Sequence, residues 1–245
     1  MFCLTATDLL RIWETGETKS QVERALTILA AACPDRSFEQ LLDLSLGQRD
    51  RLLLLVRQWL FGPELKAFAE CPRCGQRLEF GLGIPAICGT TSSETTSGEQ
   101  TLSAAGFDLQ FRLPRSRDLL SVAVGTDPQQ VRRLLAECCL QDIRRDGQTA
   151  SVDELPEVLL QQLAALVVEC DPLQEILLDM TCPACDHRWR PLLDIGQFLW
   201  EEVAAYARRL LREVHTLARA YGWREDAVLA LSARRRQAYL EMVGA

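Results

Sequence analysis

The chain has 245 residues, 48% of them hydrophobic and 25% charged. That is enough apolar material for one large domain or two small ones with a real core. Twenty-seven basic against 34 acidic residues leave a net charge of −7, which counts against a nucleic-acid partner held by a generally basic face. No apolar run approaches the ~20 residues that span a bilayer, and Met1-Phe2-Cys3-Leu4-Thr5-Ala6 lacks the basic and apolar regions of a secretory signal. A cytoplasmic protein with no membrane contact is expected.

The first half opens with helical patterns. Ser20-Gln-Val-Glu23 is a capping box, followed by Val22, Leu26, Leu29 and Cys33 at helical spacing and ended by Pro34. Ser37-Phe-Glu-Gln40 and Ser45-Leu-Gly-Gln48 repeat the start signal. Arg49 to Leu60 carries Leu52, Leu53, Leu55, Val56, Trp59 and Leu60, and Phe61-Gly62-Pro63 stops it. The polar stretch from Thr90 to Thr101 has no periodicity and predicts a flexible loop. Phe107 to Leu113 alternates strictly up to Pro114, as a half-buried strand does.

Helices then return. Asp127-Pro128 is an N-cap with proline at the first helical position, and Val131, Leu134, Leu135 and Cys138 form the apolar face. Ser151-Val-Asp-Glu154 predicts the start of another, running through Leu159, Leu163, Leu166 and Val167. Ile176, Leu178 and Met180 alternate with Leu177, Asp179 and Thr181 as a short strand. From Gln197 to Tyr221, Leu199, Val203, Tyr206, Leu210, Val214, Leu217 and Tyr221 predict the longest helix, amphipathic and ended by Gly222. A final helix is expected from Ala233 to Val243 with Ser232 as its cap, packed back onto the inserted region or gripping a partner.

Ten cysteines in a chain expected in the cytosol point away from a disulfide framework. Two pairs have C-x-x-C spacing, and they lie in an internal repeat. Cys71-Pro-Arg-Cys74 through Ile84 aligns without gaps on Cys182-Pro-Ala-Cys185 through Ile195, at an offset of 111 residues. Each copy reads as a strand, a knuckle and a return strand. Two residues between cysteines let both thiolates of one knuckle reach a single ion, and two knuckles supply the four ligands of a structural zinc tetrahedron. The metal ligands are thus Cys71, Cys74, Cys182 and Cys185, holding one structural Zn2+. A redox role for either pair is the weaker reading, because thioredoxin-like motifs begin a helix.

Four thiolates leave no coordination position for water, so this zinc is structural and no catalytic residue is assigned. His187 reads as a polar residue of the return strand and His215 as a packed mid-helix histidine. Cys33, Cys138, Cys139 and Cys170 read as small core hydrophobes. Cys88 is a possible spare ligand, and Cys3 has no nameable partner. Arg234-Arg235-Arg236 reads as a solvated helix face, or as a contact for an acidic partner or nucleic acid. No nucleophile elbow, phosphate-binding glycine loop, HExxH or kinase signature is present.

The fold class expected is α+β, mainly helical: a split four-cysteine zinc ribbon with small β-hairpins, an inserted helical domain and a long C-terminal amphipathic helix. The expected organisation is an N-terminal helical segment over 1–63, a first knuckle arm over 64–90, and a linker, strand and inserted helical region over 91–175. A second arm over 176–196 and a C-terminal helical unit over 197–245 complete it.

Several stretches together resemble the T4-family baseplate hub assembly chaperones of phage tails and phage-like contractile injection systems. They are Leu44 to Asp50 leading into Leu60-Phe61-Gly62, then Cys71-Pro72-Arg73-Cys74-Gly75, Phe111-Arg112-Leu113-Pro114, Asp171-Pro172, and Cys182-Pro183-Ala184-Cys185 with Trp189. The tail adds Asp194-Ile195, Phe198-Leu199-Trp200, Glu213-Val214-His215, Ala220-Tyr221-Gly222-Trp223 and Arg235 to Leu240. Asp186 stands where such ribbons usually carry glycine. The resemblance implies a non-enzymatic protein, with no small-molecule substrate, that helps assemble the hub and partners hub or spike proteins. A permanent baseplate subunit, a zinc-ribbon nucleic-acid regulator and a thiol oxidoreductase are the alternatives.

Overall fold

The computed structural model describes residues 4–89, 98–122 and 127–244. Cys3 and most of the expected 90–101 loop lie outside them, although Gln100 and Thr101 belong to a strand. The elements, in chain order, are helices α1 (Ala6–Gly16), α2 (Gln21–Ala32), α3 (Phe38–Leu42) and α4 (Leu46–Phe61), then strands β1 (Glu64–Glu70) and β2 (Arg77–Gly83) and helix α5 (Ile84–Gly89). Strands β3 (Gln100–Ala104) and β4 (Phe107–Phe111), helices α6 (Ser116–Ser121) and α7 (Pro128–Cys139), and strands β5 (Leu140–Arg145) and β6 (Gln148–Thr149) follow. Helix α8 (Glu157–Cys170), strands β7 (Met180–Thr181) and β8 (Arg188–Trp189), and helices α9 (Ile195–Tyr221), α10 (Glu225–Leu229) and α11 (Ala233–Gly244) complete the chain. The protein is therefore α+β and mainly helical, with small antiparallel sheets.

The elements form two compact units, 1–36 with 196–245, and 37–195. The N-terminal segment expected over 1–63 is thus divided between them at Arg36.

In the first unit, α1 begins at Thr5, whose hydroxyl accepts the Asp8 N–H while the Asp8 carboxylate accepts the Thr5 N–H. The Ser20–Glu23 box opens α2 in the same way. Helix α9 buries Leu199, Val203, Ala207, Leu210, Val214 and Leu217 at helical spacing. Leu10 of α1 packs on Ala207 and Leu210. The last two helices fold back onto the end of α9: Val228 joins Val214 and Leu217, and Tyr239 meets the Trp223 ring edge-on at 4.8 Å. Arg236 is buried and donates to the Glu213 carboxylate and the Leu231 carbonyl. The arginine run is therefore split: Arg234 and Arg235 are solvated, while Arg236 is part of the packing.

The second unit is built around the sheet β3-β4-β5-β6. Phe107, Leu109 and Phe111 of β4 and Ile143 of β5 face Leu159, Leu160 and Leu163 of α8 in one core. The region over 91–175 carries helices α6, α7 and α8 and, besides the strand expected at Phe107, three more strands that complete this sheet. Its hairpins β3–β4 and β5–β6 turn at Ala105-Gly106 and Asp146-Gly147, where both residues of each pair have positive φ, as tight two-residue turns require. The Ser151–Glu154 box opens only a single turn, because the residue before Pro156 is pushed out of helical geometry, and α8 starts at Glu157. On α7, Cys139 rather than Cys138 is buried.

A carboxylate joins the ends of this unit. Asp171, just past α8, is 1% exposed and accepts the Gly47 N–H at 2.8 Å in the first turn of α4. The Ser45 hydroxyl also donates to it. Burial pushes the Asp171 carboxyl up, against those hydrogen bonds. A Cβ on Gly47 would overlap Asp171 Oδ1, so only glycine permits the contact. Nearby, the Arg112 guanidinium donates to both Asp118 oxygens at 2.7 and 2.8 Å and to the Cys138 carbonyl.

Gly47→Ala is expected to lower unfolding free energy by about 2–3 kcal/mol, since it both overpacks the site and displaces a buried hydrogen-bonded carboxylate. Gly89→Ala, where a Cβ meets nothing within 4 Å, is the neutral control in the same denaturation series. Asp118 yields a pH signature. Burial opposes its ionisation, but Arg112 and the Arg115 N–H outweigh that and hold its pKa below the usual 3.8. Its stabilisation is therefore complete above the unfolded value near 3.8 and fades as pH falls through the lower folded value. Asp118→Asn should cost about 3 kcal/mol at neutral pH, and urea titrations at falling pH should show the difference from wild type closing below pH ~4.

Candidate metal centre

Both knuckles sit at the tips of antiparallel hairpins. In the first, β1 and β2 pair from Glu64↔Gly83 to Glu70↔Arg77. In the second, β7 and β8 pair Met180↔Trp189 and Thr181↔Arg188, with an isolated bridge at Leu177↔Leu192. The expected strand from Ile176 is thus regular only at Met180 and Thr181. The correspondence between the copies holds in the hydrogen bonds as well. Cys71 N–H donates to the Gln76 carbonyl and Gly75 N–H to the Cys71 carbonyl, each at 2.9 Å. Cys182 N–H donates to the His187 carbonyl and Asp186 N–H to the Cys182 carbonyl, also at 2.9 Å.

Gly75 takes φ +72° and Asp186 φ +53°. Aspartate is among the few residues with a side chain that enter this left-handed region readily. The Asp-for-Gly difference between the copies therefore leaves the turn geometry unchanged.

The hairpins bring the four sulfurs of Cys71, Cys74, Cys182 and Cys185 within 4.8 Å of one another. The shortest approaches run between knuckles, Cys71 to Cys185 at 3.7 Å and Cys74 to Cys182 at 3.6 Å. All four thiols are free. A cation bound by four thiolates at ~2.3 Å would set them ~3.8 Å apart in a tetrahedron, so the donor set fits a metal ion. Cys71 and Cys182 are buried, Cys185 is half-buried and Cys74 is exposed.

The electrostatics follow from this crowding. Burial works against ionising the Cys71 thiol, but the N–H groups of Arg73 and Cys74 and the neighbouring Cys74 and Cys185 thiols bring it down to about 7. The His187 N–H favours a Cys185 thiolate, yet burial and the three neighbouring thiols push it up to about 12. Cys74 is raised too: the Gln76 N–H and Cys185 favour its thiolate, but burial and the Cys182 and Cys71 thiols prevail. One thiolate forms easily among four sulfurs, and each further one is repelled by the first. A divalent cation at the centre would remove that repulsion.

The remaining candidates lie elsewhere. His187 stacks on Trp189 with ring centroids 6.1 Å apart and is outside the sulfur cluster. His215 is an exposed residue of α9. Cys88 is half-buried in α5, where burial raises its pKa, and it is not part of the cluster. Cys33 and Cys139 are buried, Cys138 and Cys170 half-buried. The sequence reading missed the Asp171–Gly47 contact. Both ends lie in stretches that carry the family resemblance, Leu44 to Asp50 and Asp171-Pro172, but nothing local pairs residues 124 positions apart.

The arrangement defines a mainly helical α+β protein whose two matched hairpins present a closed four-thiol site. Residues 4–200 match the family model described as T4 bacteriophage base plate protein, and the chain belongs to that family. No match was found among curated proteins or among solved structures. No helix among the described residues is long and apolar enough to cross a membrane.

The two knuckle turns can be told apart by substitution. Gly75→Ala should cost about 1 kcal/mol, the penalty of a Cβ in the left-handed region, while Asp186→Gly should cost nothing. Chemical denaturation of the purified chain measures both. A loss of stability in Asp186→Gly would show that the aspartate side chain, and not the backbone conformation, holds the second turn.

Proposed function

We infer that this chain is a non-enzymatic assembly chaperone for the baseplate hub of a contractile phage tail or phage-like injection particle, acting in the cytoplasm. Its four-cysteine site is a structural zinc centre. The observation that carries the metal assignment is the convergence of four sulfurs, supplied by two hairpins 111 residues apart, at distances suited to a tetrahedral ion. An all-thiolate tetrahedron selects zinc or iron, and zinc suits a closed site that does no chemistry. Cys71, Cys74, Cys182 and Cys185 would hold it, and the filled shell leaves no place for a substrate or an activated water. A redox role is disfavoured by the same geometry, since both pairs lie in hairpin turns and not at a helix start. Family membership supports a role in the baseplate. The chaperone role, with hub or spike proteins as partners, is the finer reading drawn from the resemblance of the stretches between Leu44 and Leu240, of which the tail beyond Asp194 is the most specific.

Metal analysis of protein purified without added zinc should return about one equivalent per chain. Cys182→Ser should lose the metal and aggregate, because binding free energy here is folding free energy. Cys139→Ser should keep it. Equal behaviour of the two variants overturns the ligand set. For the chaperone role, the chain should co-purify with hub subassemblies and be missing from finished particles. Its stoichiometric presence in finished particles would make it a permanent subunit.

A further inference from the structure

Helix α9 packs by one face and leaves the other bare. Val203, Ala207, Leu210, Val214 and Leu217 are buried in the first unit. On the far side of the helix lie Arg208, Arg212, His215 and Arg219, all exposed. At 3.6 residues per turn, their i, i+4, i+7, i+11 spacing keeps the four within about 60° of arc, and a rise of 1.5 Å per residue spreads them over about 16 Å.

The charge of this stripe is not balanced within the chain. Glu213 is the only acidic residue between Val203 and Tyr221, and its carboxylate is already taken by Arg209 at 3.3 Å and Arg236 at 2.9 Å. Arg208, Arg212 and Arg219 form no ion pair among the described residues. The helix dipole accounts for Arg219, which lies in the last turn, but its effect does not extend back to Arg208 and Arg212. Those two stand four residues apart, where like charges destabilise a helix. Three unpaired guanidinium groups in line, in a chain of net charge −7, call for anionic groups from outside. His215, between them, offers a ring N–H to the same kind of acceptor.

Width and flanks favour a protein over a nucleic acid. A duplex is gripped through many phosphates by a broad basic face, whereas this stripe is one residue wide. It is flanked by Leu211, 37% exposed, and by the exposed Ala205. A charged line beside small apolar contacts is how helices meet helices at a shared seam. The spacing reads the same in both directions, so a parallel or an antiparallel helix with matching carboxylates fits it equally.

We propose that the exposed face of α9 from Arg208 to Arg219 docks a helix of a partner protein that carries aspartates or glutamates at i, i+4, i+7, i+11 spacing, with Leu211 as the apolar contact beside the ion pairs. The inference needs only the stripe and is independent of the zinc and chaperone assignments.

The test uses the full chain and a fluorescent, alanine-rich helical peptide with glutamates at that spacing, read by anisotropy. Saturable binding that weakens with added salt is expected. Arg212→Gln should weaken it about three-fold, as loss of one exposed ion pair does, without lowering the melting temperature, because it relieves the like-charge pair. Arg208→Glu combined with Arg212→Glu should abolish binding. Arg235→Glu, on the exposed run of α11, should bind as wild type does. A peptide of the same composition with its glutamates spread around the helix should bind about ten-fold more weakly, since fewer arginines are engaged at once. Absence of saturable binding, equal affinity for the two peptides, or an equal loss in Arg235→Glu overturns the proposal. So does duplex DNA that binds more tightly than the peptide and is lost in the same double variant.

Discussion

Four sulfur atoms within 4.8 Å of one another set the constraint on which the 37–195 unit depends. They come from two hairpins separated by more than a hundred residues of chain, so everything between Cys74 and Cys182 must leave the site and return to it. The second hairpin shows why the convergence matters. It has only two paired residues in each strand, far short of what a hairpin needs to stand alone in water. Its turn nonetheless matches, hydrogen bond for hydrogen bond, that of the first hairpin, which has seven paired residues per strand. Thiolates brought this close repel one another. A metal ion held there would convert that repulsion into a clasp.

The returning chain is guided by a second long-range contact. Asp171 lies eleven positions before Cys182 and places its carboxylate at the start of α4. Taking a carboxylate out of water costs free energy, and the raised pKa registers that cost. The Gly47 N–H, the Ser45 hydroxyl and the positive end of the α4 dipole offset it. The same residue fixes the turn after α8, where the Gln174 N–H donates to the Asp171 carbonyl. Glycine at position 47 is what allows the carboxylate this close.

Of the buried polar groups, Asp171, Asp118 and Arg236 are engaged in contacts between elements. The aromatic contacts of Tyr221, Trp223 and Tyr239 close the end of α9. Membership in the T4 base plate protein family agrees with a chain whose work lies in its contacts with other proteins.

Much of this was legible in the sequence because its causes are local. The Ser20, Ser37 and Ser45 boxes open helices, since a hydroxyl three residues from a carboxylate or amide satisfies free N–H groups wherever it occurs. The alternation of Phe107, Leu109 and Phe111 marks the strand that faces the core. The gapless repeat around Cys71 and Cys182 announces two like turns. Local signals also went unread: Thr5 with Asp8 before α1, and Asp146-Gly147 between β5 and β6, carry the same physics. Other signals misled where a neighbour overrode them, as Pro156 did to the box at Ser151. Tertiary structure alone decided what depends on distant partners: that the four sulfurs meet, that Asp186 takes the conformation of Gly75, that Arg236 is buried against Glu213, and that Asp171 caps a helix 124 residues earlier in the chain. Spacing fixes which atoms a turn can present, but only the folded chain brings two presentations to one point in space.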